Sequence, residues 1–158
     1  MNTNKLDYEE IRSFVEKQPE GTRIYIGCDS TKITSALGEF ADYTIAVVVH
    51  IGAKHGAKIF GEVRRDRVYD KNPGKPRMRL MTEVYLIAEV FLELAKTLPD
   101  TEIEVHLDVN GNEIHGSSCV VNEAIGYIRG MCAVEPKIKP QAWAASTVAD
   151  RGRRLIAA

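Results

Sequence analysis

Two strand-like runs, each followed directly by an aspartate, constrain the fold of this chain more than any other feature. Residues 23–28 read RIYIGC and lead into Asp29, and residues 102–107 read EIEVHL and lead into Asp108. Between them, apolar residues recur at helical spacing from Leu80 to Ala95, which predicts a long amphipathic helix. A crossover helix of this kind lets the second run lie parallel to the first, so both aspartates are expected at one edge of the sheet.

The remaining elements predict an α/β fold with a mixed five-stranded sheet flanked by helices. A capping box at Asp7 and Glu10 predicts an N-terminal helix to about Lys17. A polar loop is expected from residue 29 to Asp42, because this stretch lacks an apolar run. The other expected elements are strands at 43–51, 57–65 and 135–140, a turn at 110–112, and helices at 117–129 and from Ser146 onward. The first three strands predict an antiparallel meander.

Four carboxylates are candidates for one cation site. Asp29 and Asp108 lie at the carboxyl ends of neighbouring strands, where open α/β sheets bind ligands. Glu83 falls about 20° outside the apolar arc of its helix, so it can lean over the sheet, whereas Glu89 and Glu93 point to solvent. Asp150 lies near the start of the last helix. Glu83 and Asp150 alone are more typical of ordinary helix starts, and Asp29 and Asp108 could also end their strands in ordinary turns, although apolar strands that lead straight into Asp are less usual. The joint arrangement carries the prediction, because hard cations such as Mg²⁺ need such a set of oxygen ligands.

Composition indicates an ordinary globular protein of 158 residues, with 44% hydrophobic and 27% charged residues. We expect one domain over residues 1–158, with residues 1–20 as a helical extension. Three widely spaced cysteines do not predict a disulfide framework or a zinc site and are expected to be small buried thiols. No signal peptide or membrane-spanning run is evident, so a cytoplasmic location without membrane contact is the default expectation.

Charge is segregated along the chain, although the net charge is only −1. Residues 58–79 carry a local charge of +5 and residues 137–154 carry +4, whereas residues 83–113 carry −7. This pattern is compatible with a metal site beside a phosphate-binding surface, and also with a solvated surface of mixed sign. The candidate contacts to nucleic-acid phosphates are Arg64, Arg65, Arg67, Lys71, Arg77, Arg79, Lys137 and Lys139.

The chain resembles the ribonuclease H superfamily, and within it the YkuK-like family of bacterial proteins predicted to be ribonuclease H-like. The matching stretches are IYIGCDS (24–30), RLMTEVYL (79–86), EVHLDVN (104–110) and KPQAWAASTVADR (139–151), and together they span nearly the whole chain. The resemblance implies a ribonuclease H-like fold with an extra N-terminal helix. It also implies a catalytic, metal-binding site for two Mg²⁺ or Mn²⁺ ions, formed by Asp29, Glu83, Asp108 and Asp150.

At two places the sequence departs from one group of enzymes with this fold, and this restricts the type of nuclease that the resemblance implies. Proofreading-type exonucleases of this fold carry Asp-x-Glu on the first strand, and here Asp29 is followed by Ser30 and Thr31. They also carry a Tyr four residues, or a His five residues, before the last Asp, where this chain has Ser146 and Ala145. The resemblance therefore favours an endonuclease or a junction-resolving enzyme.

The predicted function is metal-dependent hydrolysis of phosphodiester bonds in DNA, RNA or a hybrid, which the sequence does not distinguish. The alternative is a non-catalytic nucleic-acid-binding or scaffolding module. In that case Phe14 and Val15 on the N-terminal helix could serve a partner or a homodimer. A third possibility is a metal-dependent phosphatase. His106 is expected to be a core histidine rather than a partner of the site, and Trp143 is expected in the core.

Overall fold

The computed structural model describes residues 5–52, 56–71, 76–110 and 120–144. Within these ranges the elements follow the predicted order of helix, three strands, helix, strand, helix and strand. They are α1 (Tyr8–Glu16), β1 (Arg23–Ser35), β2 (Gly38–His50), β3 (Ala57–Arg67), α2 (Arg77–Thr97), β4 (Glu102–Asn110), α3 (Val121–Cys132) and β5 (Lys137–Lys139). The helix expected from Ser146 onward and most of the turn at 110–112 lie outside the described residues.

The five strands form one mixed sheet in the order β3-β2-β1-β4-β5. Strands β1, β2 and β3 pair antiparallel, whereas β4 is parallel to β1 and β5 is parallel to β4. The predicted α/β class, the meander and the parallel crossover are therefore confirmed. No described helix is long and apolar enough to cross a membrane.

The core lies between one face of the sheet and the three described helices. Alternate residues of each strand point to this face, as the pleat requires, among them Ile24, Ile26 and Cys28 of β1. Side chains of α1, α2 and α3 join them in the same apolar cluster. Leu94 of α2 is fully buried there, and burial of such a side chain stabilises a fold by about 1.5–3 kcal/mol. This packing fixes α2 across β1 and β4.

Helix α1 begins as the sequence predicts. The Asp7 side chain accepts hydrogen bonds from the backbone N–H groups of Glu9 and Glu10, each at 3.1 Å, and so caps the first turn. On its inner side Val15 is buried, and the ring of Phe14 packs edge-on against Phe60 with centroids 5.9 Å apart. The apolar stripe of α1 is thus used within the chain.

The loop predicted between residue 29 and Asp42 is wrong. β1 continues to Ser35 and β2 begins at Gly38, with Ser35 paired to Gly38 at the end of a long hairpin. Gly38 has a φ of 126°, which favours glycine at this turn. The polar residues of this stretch resemble a loop because most of them are exposed or half-buried. Pairing with β2 nevertheless gives this stretch the backbone hydrogen bonds of a strand on that side.

Candidate metal and active site

Asp29 and Asp108 lie where β1 and β4 separate. The parallel pairing of these strands runs from Arg23–Glu102 to Ile26–Val105 and goes no further. Beyond it, β1 stays paired to β2 and β4 pairs with β5. Each aspartate lies three residues past the last β1–β4 pair, so the shared register brings the two carboxylates to the same level. Contrary to the sequence expectation, both aspartates lie inside their strands, because β1 and β4 extend to Ser35 and Asn110.

Glu83 reaches the same place from α2. Its side chain is buried, with 4% of its surface exposed, whereas Glu89 and Glu93 on the same helix are exposed as the helical arc predicts. One carboxylate oxygen from each of Asp29, Glu83 and Asp108 can be chosen so that all three lie within 4.8 Å of one another. The structure therefore brings together three of the four predicted acids. Asp150 lies outside the described residues.

Burial makes the Glu83 carboxyl hard to ionise. Burial is the largest cause that raises its pKa well above the usual range, and the negative charges of Asp108 and Asp29 raise it further. The hydrogen bond from Ser30 and the charge of Arg79 act in the opposite direction. The buried Cys28 thiol is affected in the same way. Burial is the largest cause that raises its pKa well above the ordinary value, and the charges of Glu83, Asp29 and Asp108 raise it further. Cys28 therefore stays a neutral thiol, as the sequence analysis expects of the cysteines.

A short chain of hydrogen bonds orients Glu83. The Ser30 hydroxyl donates to Glu83 Oε2 at 2.5 Å. Arg79 Nη1 in turn donates to Ser30 Oγ at 2.7 Å and to the Ser30 backbone oxygen at 3.3 Å. The Ser30 backbone N–H donates to Asp29 Oδ1 at 2.9 Å, so this one residue contacts two of the three acids.

Asp108 has a cation of the chain beside it. Lys139 Nζ lies 2.5 Å from Asp108 Oδ1, which makes an ion pair. Oδ1 itself is buried, and the Lys139 ammonium is the charged partner that the described part of the chain gives it. A buried carboxylate oxygen is destabilising unless such a group or an ion approaches it.

The donor set fits a hard divalent cation. All three converging groups supply carboxylate oxygen, the ligand that Mg²⁺ and Mn²⁺ prefer. A divalent cation there would take the place of the ammonium at Asp108 Oδ1 and would relieve the repulsion that acts on Glu83. We take both features as signs that the residues suit such an ion.

The eight predicted phosphate contacts have different surroundings in the structure. Three arginines are engaged with acids other than the cluster: Arg64 with Glu62 and Glu89, Arg65 with Asp42, and Arg77 with Glu123. Arg67 donates to the Leu37 backbone oxygen at the tip of the β1–β2 hairpin, while Lys71 and Lys137 are exposed. Lys139 contacts Asp108 of the carboxylate cluster directly, and Arg79 contacts Ser30, which in turn binds Glu83.

Sequence reasoning missed the role of Ser30 in holding Glu83 and the contact of Lys139 with Asp108. The role of Ser30 follows only once residues 30–35 are known to form a strand, because alternation then turns Ser30 toward the helix that carries Glu83. The contact of Lys139 depends on β5 pairing beside β4. No pattern in the sequence predicts that β5 pairs with β4.

His106 fulfils the expectation of a satisfied core histidine. It is 1% exposed, and its Nδ1 accepts hydrogen bonds from the backbone N–H groups of Trp143 and Ala144, both at 3.1 Å. Its Nε2 lies 3.1 Å from Glu104 Oε1. The expectation that Trp143 is a core residue is wrong, because 40% of it is exposed and it packs against the rings of His106 and Tyr25 at the sheet surface.

The comparisons with known proteins give one match. The sequence model of a family described as Ribonuclease H-like matches residues 7–154. Searches among the curated proteins and among the solved structures find no significant match.

Proposed function

Because the chain belongs to the ribonuclease H-like family, we propose that it is a metal-dependent nuclease that hydrolyses phosphodiester bonds in nucleic acid. The single observation that carries this proposal is the convergence of Asp29, Glu83 and Asp108 within 4.8 Å. A fold of this kind hosts several activities, so the site and its charges, rather than the fold, support this function.

The three carboxylates would hold Mg²⁺ or Mn²⁺, with two ions in our proposal, and Asp150 would complete the ligand set. Bound ions would supply Lewis-acid chemistry, because they lower the pKa of an attacking water and stabilise the leaving oxygen. Oxygen ligands on strands and a helix give a rigid site, which suits chemistry that depends on position.

The residues around the carboxylates have distinct tasks in this proposal. Ser30 binds Glu83 Oε2 and leaves Oε1 without that bond, so the glutamate is held in one orientation. Arg79 fixes the Ser30 hydroxyl and adds a positive charge beside the acids. Together with Lys139 it would attract the phosphate backbone toward the carboxylates, a step that needs no sequence preference.

Cleavage assays test the proposal directly. Labelled single-strand, duplex, hybrid and four-way-junction substrates are incubated with Mn²⁺ and, in parallel, with EDTA. We expect cleavage of at least one substrate with Mn²⁺, none with EDTA, and a loss of at least about 100-fold in Asp29→Asn and Asp108→Asn, since each removes a ligand charge. Asp100→Asn is the matched control, because Asp100 lies in the turn before β4, at the opposite end of that strand. Absence of cleavage on all four substrates would refute nuclease activity.

One observation favours a second candidate function. The ammonium of Lys139 neutralises Asp108 from within the chain, as a module that binds nucleic acid without a catalytic ion would require. In that case Asp108→Asn would retain nucleic-acid binding, with no effect of divalent ions. The same substrates, measured by binding rather than by cleavage, distinguish the two functions.

A further inference from the structure

Lys139 contacts the cluster from its exposed side. It is the last residue of β5, whose pairing with β4 joins Lys139 to Asn110, two residues past Asp108. Its side chain is 38% exposed and that of Asp108 is 16% exposed. The ammonium therefore reaches inward from solvent to a mostly buried acid, and its long flexible stem leaves it free to move out again.

A divalent ion and this ammonium compete for the same oxygen. Asp108 Oδ1 is a buried oxygen, and Lys139 Nζ lies 2.5 Å from it. An ion that takes this oxygen carries twice the charge of the ammonium and repels it at close range. Displacement breaks this ion pair, and because the Lys139 side chain is 38% exposed, the released ammonium is readily hydrated.

We propose that Lys139 is a displaceable counter-cation: it neutralises Asp108 before a divalent ion binds, and then moves to a phosphate of the bound nucleic acid. This inference rests on the proposed function and adds a substrate-positioning residue to it. Metal binding thereby creates a phosphate contact that the metal-free protein lacks.

Arg79 does not have this freedom. Its guanidinium donates two hydrogen bonds to Ser30, and the planar fork holds that geometry. Arg79 therefore stays in the site in both states, and the metal-dependent contact is assigned to Lys139 alone.

Calorimetric titration with Mn²⁺ in the absence of nucleic acid tests the first step. Lys139→Gln removes the competing charge and is expected to bind Mn²⁺ about ten-fold more tightly, given the repulsion between a single and a double charge about 5 Å apart in solvent. Lys139→Arg keeps the charge and is expected to bind within about two-fold of wild type. Lys137→Gln removes the same charge from the same strand, at an exposed position, and is the matched control.

The outcomes separate the two proposals. Wild-type affinity, or weaker binding, in Lys139→Gln would overturn the counter-cation while leaving the metal site intact. An equal gain in Lys137→Gln would also overturn it, because the effect would then come from overall charge. Absence of Mn²⁺ binding in every variant would overturn the proposed function together with this inference.

The salt dependence of nucleic-acid binding tests the second step. Anisotropy of a labelled duplex is measured against salt concentration with Ca²⁺ and with EDTA, and a gel verifies that the duplex stays intact. With Ca²⁺, Lys139→Gln is expected to reduce the magnitude of the negative slope of log K against log salt by about 0.9, the value of one phosphate contact. With EDTA, where the ammonium stays on Asp108, the slopes of wild type and variant are expected to coincide.

A slope that is unchanged in Ca²⁺, or lowered equally in EDTA, would refute the movement of Lys139 to a phosphate. Wild-type protein that binds no duplex under either condition would refute the nucleic-acid part of the proposed function as well. Lys137→Gln again serves as the control, since an ordinary surface contact changes both slopes alike.

Discussion

Replacement of Glu83 by glutamine tests the electrostatics of the cluster most directly. Glu83→Gln keeps the shape of the side chain and an oxygen that can accept the hydrogen bond from Ser30. It removes one negative charge from a group whose ligand oxygens lie within 4.8 Å of one another. Without a divalent ion, we therefore expect the variant to be more stable than wild type at alkaline pH.

The distance sets the size of the effect. Two unit charges 4.8 Å apart repel by about 3.5 kcal/mol at an effective dielectric of about 20, and by about 0.9 kcal/mol at that of bulk water. The effective dielectric at the site lies between these limits, and the positive charges of Arg79 and Lys139 offset part of the repulsion. We expect a gain of about 1–3 kcal/mol in the free energy of unfolding, with about 2–4 °C in Tm for each kcal/mol.

The pH dependence follows from the raised pKa of Glu83. Below its ordinary pKa, near 4.5, this carboxyl is protonated in both the folded and the unfolded state. As pH rises, the unfolded state ionises first, so wild-type stability falls until pH passes the raised pKa of the folded state. The advantage of Glu83→Gln should therefore be small at pH 4.5 and should grow toward pH 8.

Urea unfolding in EDTA at pH 4.5, 6 and 8 measures this advantage, and a second series at pH 8 with Mn²⁺ measures the contribution of the ion. At a Mn²⁺ concentration 100 times the Kd of wild type, the free energy of unfolding of wild type should rise by about 2.7 kcal/mol. That of the variant should rise less, because the variant has lost a charged ligand. Glu93→Gln, on the exposed side of the same helix, is the control and should change neither series. The reasoning is refuted if Glu83→Gln is less stable than wild type in EDTA at pH 8.

Local pattern predicts those parts of the fold that are decided locally. The cap at Asp7 and the apolar arc of α2 are set by neighbours within one or two turns, and both are found as predicted. The parallel relation of β1 to β4 follows from the length of the crossover, and it led to the placement of Asp29 and Asp108 at one edge. That topological step is the reason why three acids remote in sequence could be expected together.

Contacts that depend on strand pairing could not be read from the sequence. The stretch from Ser30 to Ser35 resembles a loop by composition, and only the opposing residues of β2 make it a strand. As a consequence Ser30 alternates toward α2 and binds Glu83, a contact that a loop would not specify. Lys139 illustrates the same limit: its charge indicates a phosphate contact, whereas β5 beside β4 gives it a carboxylate partner.

Three further substitutions test individual contacts. Ser30→Ala should destabilise the protein by about 1–3 kcal/mol and weaken calorimetric Mn²⁺ binding, because Glu83 loses its hydroxyl donor; Ser30→Thr, which keeps the hydroxyl, is the control. Asp7→Ala removes the α1 cap and should lower the free energy of unfolding by about 1 kcal/mol with unchanged Mn²⁺ affinity. His106 is held neutral in the fold, because burial lowers its pKa below 6.5 while Nδ1 accepts from the N–H groups of residues 143–144. Stability should therefore fall as pH drops below about 6.5, since the unfolded state takes up the proton first. His106→Asn keeps an acceptor near the Nδ1 position but cannot be protonated. Its urea midpoint should therefore fall less than that of wild type as pH drops below about 6.5. An identical slope from pH 7.5 to 5 in wild type and His106→Asn would show that the histidine does not titrate on unfolding.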